Sequence, residues 1–147
     1  MTSAEGLADP VVLRRVVPHP RARVFDAWLD PGSLARWMRP RAESTATAEV
    51  DARVGGKFRI VMRHGSDAIE HTGEYLIIER PSRLSFTWVS VNTHGRPTIV
   101  TVDFIEHQSG TEIVLTHQGL PPEKRDAHRK GWGEILRKLE EAHDAPR

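Results

Sequence analysis

Residues 45–117 carry no apolar pattern at helical spacing, only short alternating stretches broken by Gly55-Gly56, His64-Gly-Ser-Asp, Arg80-Pro-Ser-Arg, Thr93-His-Gly and Gln108-Ser-Gly. Such breaks between alternating runs mark tight turns, so the segment is predicted to form six antiparallel strands joined by hairpins. Successive side chains of a strand point to opposite faces, and a slip of one residue inverts both, so each turn fixes a register. A Gly65-Ser66 turn pairs Met62 with Ile69 and Ile60 with His71. A Pro81-Ser82 turn pairs Ile77 with Phe86 and Tyr75 with Trp88. A Thr93-His94-Gly95 loop pairs Trp88 with Val100 and Phe86 with Val102, and a Gln108-Ser109 turn pairs Val102 with Leu115 and Val100 with His117. These registers gather Phe58, Ile60, Met62, Ile69, Tyr75, Ile77, Leu84, Phe86, Trp88, Val100, Val102, Phe104, Ile113 and Leu115 on one face. The other face is polar, with Arg59, Glu70, Thr87, Thr101, Asp103 and Glu112 among its residues.

An antiparallel sheet with one apolar face must cover it. The cover is supplied by a long C-terminal helix, opened by Pro121 and Pro122, whose apolar positions are Trp132, Ile135, Leu136 and Leu139. Upstream, Val11 to Val17 is a further strand, stopped by Pro18 and Pro20, which cannot continue a ladder. Val24, Phe25, Trp28 and Leu29 then fall at helical spacing, and Asp30 before Pro31 caps a second short helix that ends near Trp37 to Arg39. The expected fold is α+β: a curved antiparallel sheet of seven strands wrapped around a long C-terminal helix, with two short helices between strands 1 and 2. Residues 1–10 are expected as a disordered leader, 11–143 as one domain and 144–147 as a frayed tail.

Composition narrows the function. The 147 residues fit one core of ordinary size. Lys and Arg total 21 against 20 acids, for a formal charge of +1, which argues against a nucleic-acid partner. The absence of cysteine excludes a disulfide framework, a thiol nucleophile, a zinc-thiolate site and an iron-sulfur cluster. No stretch approaches the ~18 apolar residues of a membrane span, and the N-terminus lacks an apolar signal region, so no membrane insertion and a cytoplasmic location are expected.

The element order, together with Val54-Gly-Gly-Lys-Phe-Arg, Thr72-Gly-Glu-Tyr-Leu-Ile-Ile-Glu-Arg-Pro-Ser-Arg-Leu-Ser-Phe-Thr-Trp, Gly110-Thr-Glu-Ile-Val-Leu-Thr-His and Gly131-Trp132, resembles the helix-grip fold of the START-like (SRPBCC) superfamily. Within it the chain is similar to homologues of the activator of heat-shock-protein-90 ATPase. That resemblance implies a cavity between sheet and long helix holding a small apolar or amphipathic molecule, with no cofactor. Its walls are expected from Phe58, Ile60, Tyr75, Phe86, Trp88, Val100, Val102, His117, Trp132 and Leu136, with Trp28, Trp37 and Met38 covering an end. His71 and His128 are polar groups that the register and the helical stripe place toward the same space.

Two other functions are compatible with the residues. An enzyme of the cyclase or dehydratase type would use His117 or His128 as general acid/base and Tyr75 as a hydrogen-bond donor. An interaction domain, co-chaperone-like or a homodimer, would use an exposed patch around Trp37 and Met38, beside the basic cluster Arg36, Arg39 and Arg41. A metal site is not expected: no two of the eight histidines stand at His-x3-His spacing. His71 and His117, on strands three apart, would be separated by over ~14 Å on a flat sheet. Neither a Gly-x-Ser-x-Gly elbow nor a phosphate-binding glycine pattern occurs. Gly131 and Gly133 each cost roughly 1 kcal/mol in a helix relative to Ala, which implies close packing there or space left beside Trp132. Glu134 with Lys138 and Arg137 with Glu141 stand at i, i+4 spacing and are expected on the outer face.

Overall fold

β-branched runs build the sheet, and prolines end them. In the computed structural model, which describes residues 9–39 and 43–144, the elements in chain order are β1 (Val11–Val17), α1 (Arg21–Ala27), α2 (Pro31–Trp37), β2 (Thr45–Val50), β3 (Lys57–His64), β4 (Asp67–Glu79), β5 (Arg83–Trp88), β6 (Thr98–His107), β7 (Gly110–Gln118) and α3 (Arg125–Asp144). Single 3-10 turns, Val91–Thr93 and Pro122–Lys124, precede β6 and α3. All neighbouring strands are antiparallel, in the order β1-β7-β6-β5-β4-β3-β2, and the sheet curls around α3. The fold is the α+β helix-grip arrangement. Most of the expected leader, residues 1–8, and of the expected tail, residues 145–147, lies outside the described residues, as does Arg41. No helix among the described residues is long and apolar enough to cross a membrane.

Local chemistry sets the helix starts. The Asp30 carboxylate accepts the Ser33 N–H at 2.7 Å, and Pro31 occupies the first turn of α2, where its missing N–H costs nothing. At the C-terminal helix the two prolines form the 3-10 turn first, and the α-helix proper starts at Arg125.

Two of the four hairpin registers hold as expected, Met62 with Ile69 and Ile60 with His71, and Val102 with Leu115 and Val100 with His117. The other two are corrected. Between β4 and β5 the loop is Arg80-Pro81-Ser82, pairing Glu79 with Arg83, and a bulge at Leu76 adds a second one-residue slip. Tyr75 therefore faces Phe86 rather than Trp88. Between the two slips the faces are inverted, so Ile78, not Ile77, packs on the core. Between β5 and β6 the register moves by two: Phe86 pairs with Val100 and Trp88 with Thr98. A shift of two keeps every face, which is why the apolar set survives it. Its cause is the Ser90 to Thr93 capping box: the Ser90 hydroxyl accepts the Asn92 N–H at 3.0 Å and the Thr93 hydroxyl accepts the Ser90 N–H at 3.1 Å. That box extends the connection well beyond three residues.

One aromatic cluster fills the space between sheet and helices. Trp28 lies 4.8 Å from Trp37 and 6.3 Å from Trp132 and Phe104, ring centre to ring centre. Phe58 packs 5.4 Å from Tyr75 and Phe86. Trp37 and Met38 are 0% and 1% exposed, so neither belongs to the exposed patch expected around them. Both are core residues because α2 packs its apolar side between the edge strand β2 and α3. On α3, Arg137 takes both acids, Glu134 at 2.7 Å and Glu141 at 2.6 Å. Lys138 is 9% exposed, so Glu134 with Lys138 is not the outer-face pair expected.

Candidate functional site: a cavity under the C-terminal helix

The first turns of α3, the start of β4 and the end of β5 border a half-open cavity of about 380 Å³. Trp88 and Trp132, with ring centres 5.1 Å apart, form its aromatic wall, and Met62, Ala127, Gly131 and Ile135 add apolar surface. Asn92, Lys124, His128, Lys130, Glu134 and His71 are its polar lining. The loop between β5 and β6 is tied to the turn before α3 by His94 Nε2 to Glu123 at 2.7 Å and Lys124 Nζ to Asn92 Oδ1 at 3.5 Å.

His71 is 7% exposed, its ring centre 4.8 Å from that of Trp88 and tilted 34° to it. Its Nδ1 is buried with no hydrogen-bond partner. Desolvation dominates and, joined by repulsion from His128, outweighs hydrogen bonding toward the Ile60 and Ile69 backbone, which favours the charged ring; the pKa falls to about 4. The ring is neutral at pH 7. His128 Nδ1 lies 2.8 Å from the Lys124 carbonyl; a carbonyl only accepts, so Nδ1 donates and Nε2 carries the lone pair of the neutral ring. Burial and Lys124 hold its pKa below the ordinary histidine range.

His117 sits behind this wall, fully buried. The Trp132 indole N–H donates to His117 Nδ1 at 3.0 Å, so in the neutral ring Nε2 carries the proton and donates to Thr98 Oγ1 at 2.8 Å. Thr98 in turn donates to the Trp88 carbonyl at 2.6 Å. Burial and the neighbouring His128 push the His117 pKa down to about 3. Both ring nitrogens are engaged, leaving none to accept a substrate proton.

The family model described as Activator of Hsp90 ATPase homolog 1-like protein matches residues 18–144. The chain belongs to that family. Among solved structures, a protein of Chromobacterium violaceum is 25% identical with a TM-score of 0.84, over 91% of this chain and 96% of its own. An AHSA1-like protein from Aeromonas hydrophila is 27% identical with a TM-score of 0.75, over 94% and 96% of the two chains. A Mycobacterium smegmatis protein, at 16% identity and a TM-score of 0.79 over 96% and 99%, shares the fold.

In this Hsp90-ATPase-activator-like chain the residues expected as one cavity wall separate into three groups. His71, Trp88, His128 and Trp132 line the cavity. Trp28, Met38, Phe58, Ile60, Tyr75 and Phe86 surround a void of about 10 Å³, room for at most one water. Trp37, Val100, Val102, His117 and Leu136 are core residues off the cavity lining. Tyr75, its phenol pKa raised by burial and by Asp51, is in that core group; it shares a cross-strand row with His117 through Phe86 and Val100, three strand steps away. Tyr75 and His117 therefore do not form an acid/base pair. Among the described residues no group of three or more histidines and acids is placed to hold a metal.

Lys124, Ala127, Lys130, Glu134, Ile135, Asn92 and Met62 line the cavity without having been expected as site residues. A signal existed for part of the set: positions 124, 128, 131 and 135 continue the helical stripe already recognised from His128 to Trp132. Of the two roles expected for the helical glycines, close packing is not required at Gly133, where a Cβ has room. A Cβ at Gly133 would meet Leu13 Cδ2 at 3.7 Å, an ordinary packing contact, whereas Gly131 lines the cavity.

Proposed function

We propose that this protein binds one small apolar or amphipathic molecule in the cavity between the sheet and α3. The observation that carries the reading is a half-open pocket of about 380 Å³ that joins two tryptophan faces to a buried histidine with an unpartnered nitrogen. Cavities of roughly 300–1,000 Å³ with an apolar wall and a few polar groups suit small ligands. A buried, unpaired ring nitrogen is costly without a partner, and a ligand atom near it offsets that cost. Membership of a fold family whose sheet and helix enclose a ligand space supports the same reading.

Native mass spectrometry of gently purified protein, followed by organic extraction, tests it. The expected result is a reproducible one-to-one adduct, released on unfolding and absent from Met62→Trp, which places bulk at the cavity lining. A bare-chain mass in every preparation, with nothing released on unfolding, counts against a tightly held ligand.

A further inference from the structure

We infer that the cavity selects an organic monoanion: a flat apolar body lying against Trp88 and Trp132, ended by one carboxylate that meets the ammonium groups of Lys124 and Lys130. The inference rests on the reading of this cavity as a ligand site and adds the ligand's class. Its size follows from volume: at ~30 Å³ per water, about 380 Å³ is a dozen waters' worth, enough for a body of about ten to twelve non-hydrogen atoms and too small for a two-chain lipid.

Charge selects the head group. The cavity lining holds two cations, Lys124 and Lys130, and one acid, Glu134. Glu134 is engaged mainly by Arg137, which lies outside the cavity, donates to it at 2.7 and 3.3 Å and is shared with Glu141; Lys138 and Lys130 also act on it. His71 and His128 are both shifted toward the neutral form. An excess of positive charge therefore faces the ligand. Lys124 is turned toward the loop by Asn92 Oδ1 at 3.5 Å, and since that oxygen accepts, the Asn92 amide N–H2 remains a donor. Ammonium groups and amide donors recognise a carboxylate and repel an amine. The body is selected by the wall, where the Trp88 and Trp132 rings, inclined 51° to each other, and the His71 ring beside Trp88 offer aromatic surface.

The test titrates the full chain at pH 7.5 and low salt with 2-naphthoate, its uncharged analogue 2-naphthylmethanol and the cation 2-naphthylmethylamine, reading the indole N–H resonances of Trp88 and Trp132. Naphthoate should bind at least about tenfold tighter than the alcohol, as expected for a charge-assisted contact, and weaken as salt is raised. In Lys124→Gln/Lys130→Gln the acid should fall to the affinity of the alcohol, whose own binding stays unchanged. Equal binding of acid and alcohol to the parent protein, or tightest binding of the amine, overturns the carboxylate assignment and leaves the cavity a ligand site. Failure of all three probes to move either indole resonance overturns both.

Discussion

The indole N–H of Trp132 on α3 donates to Nδ1 of His117 on β7 across 3.0 Å of fully buried space. This bond fixes the helix to the sheet at the cavity wall and orders the His117, Thr98 and Trp88 carbonyl chain in one direction. Removing either partner strands a buried polar group. His117→Leu should cost about 2–4 kcal/mol of stability by urea denaturation. A double-mutant cycle with Trp132→Phe should show a coupling of about 1–2 kcal/mol. Strict additivity would mean the two side chains do not interact.

Acid should destabilise the protein through its buried histidines. His117 and His71 titrate near 3 and 4 when folded, against an unfolded value of about 6.5. Between those limits the unfolded chain binds protons that the native state refuses, so stability is full above about pH 6.5 and falls as pH drops toward 4. The loss is on the order of a few kcal/mol. Denaturation midpoints measured from pH 7.5 to 4.5 should show it, and His71→Phe, which also removes the unpartnered nitrogen, should flatten the curve. An unchanged slope in that variant would remove His71 from the account.

Gly73 is required by close approach. A Cβ there would lie 2.0 Å from the Thr87 carbonyl oxygen and 2.4 Å from Phe58 Cζ. Backbone cannot move aside as a flexible side chain can, so Gly73→Ala should lose about 3 kcal/mol or more, read as a lower thermal midpoint. Tolerance without loss would show that the strands can separate at Gly73.

Trp37→Ser distinguishes a core residue from an interface residue. Trp37 is 0% exposed, and its indole N–H donates to Ser33 Oγ at 3.0 Å. The expected outcome is a stability loss of about 3–5 kcal/mol, with sedimentation of the remaining folded fraction unchanged. A change in association at constant stability would restore a surface role.

Much of the fold was legible because its signals are local. Turn residues at 65–66 and 108–109 fixed two registers, Asp30-Pro31 fixed the start of α2, and period-two alternation assigned nearly every inward residue. The failures were also local in cause. The Leu76 bulge and the Ser90 to Thr93 capping box insert residues into a connection without changing the apolar alternation on either side, so the pattern alone passes over them. Ile77 was misplaced for that reason, while Trp88 kept its face because its shift was even.

The site was less legible than the fold. Periodicity gives the direction of a side chain, and it assigned Tyr75, Phe86, His71 and His117 alike to the interior. It does not give the distance between α3 and the sheet. That spacing closes around Phe58 and Tyr75, leaving about 10 Å³, and opens around Met62, His71 and His128, leaving about 380 Å³. Sequence by itself determined the strands, the helices, the apolar face and the family, because turns, caps and alternation act over a few residues. Only tertiary structure decided which inward residues are core and which line the cavity, because curling of the sheet against α3 sets where side chains meet and where space remains.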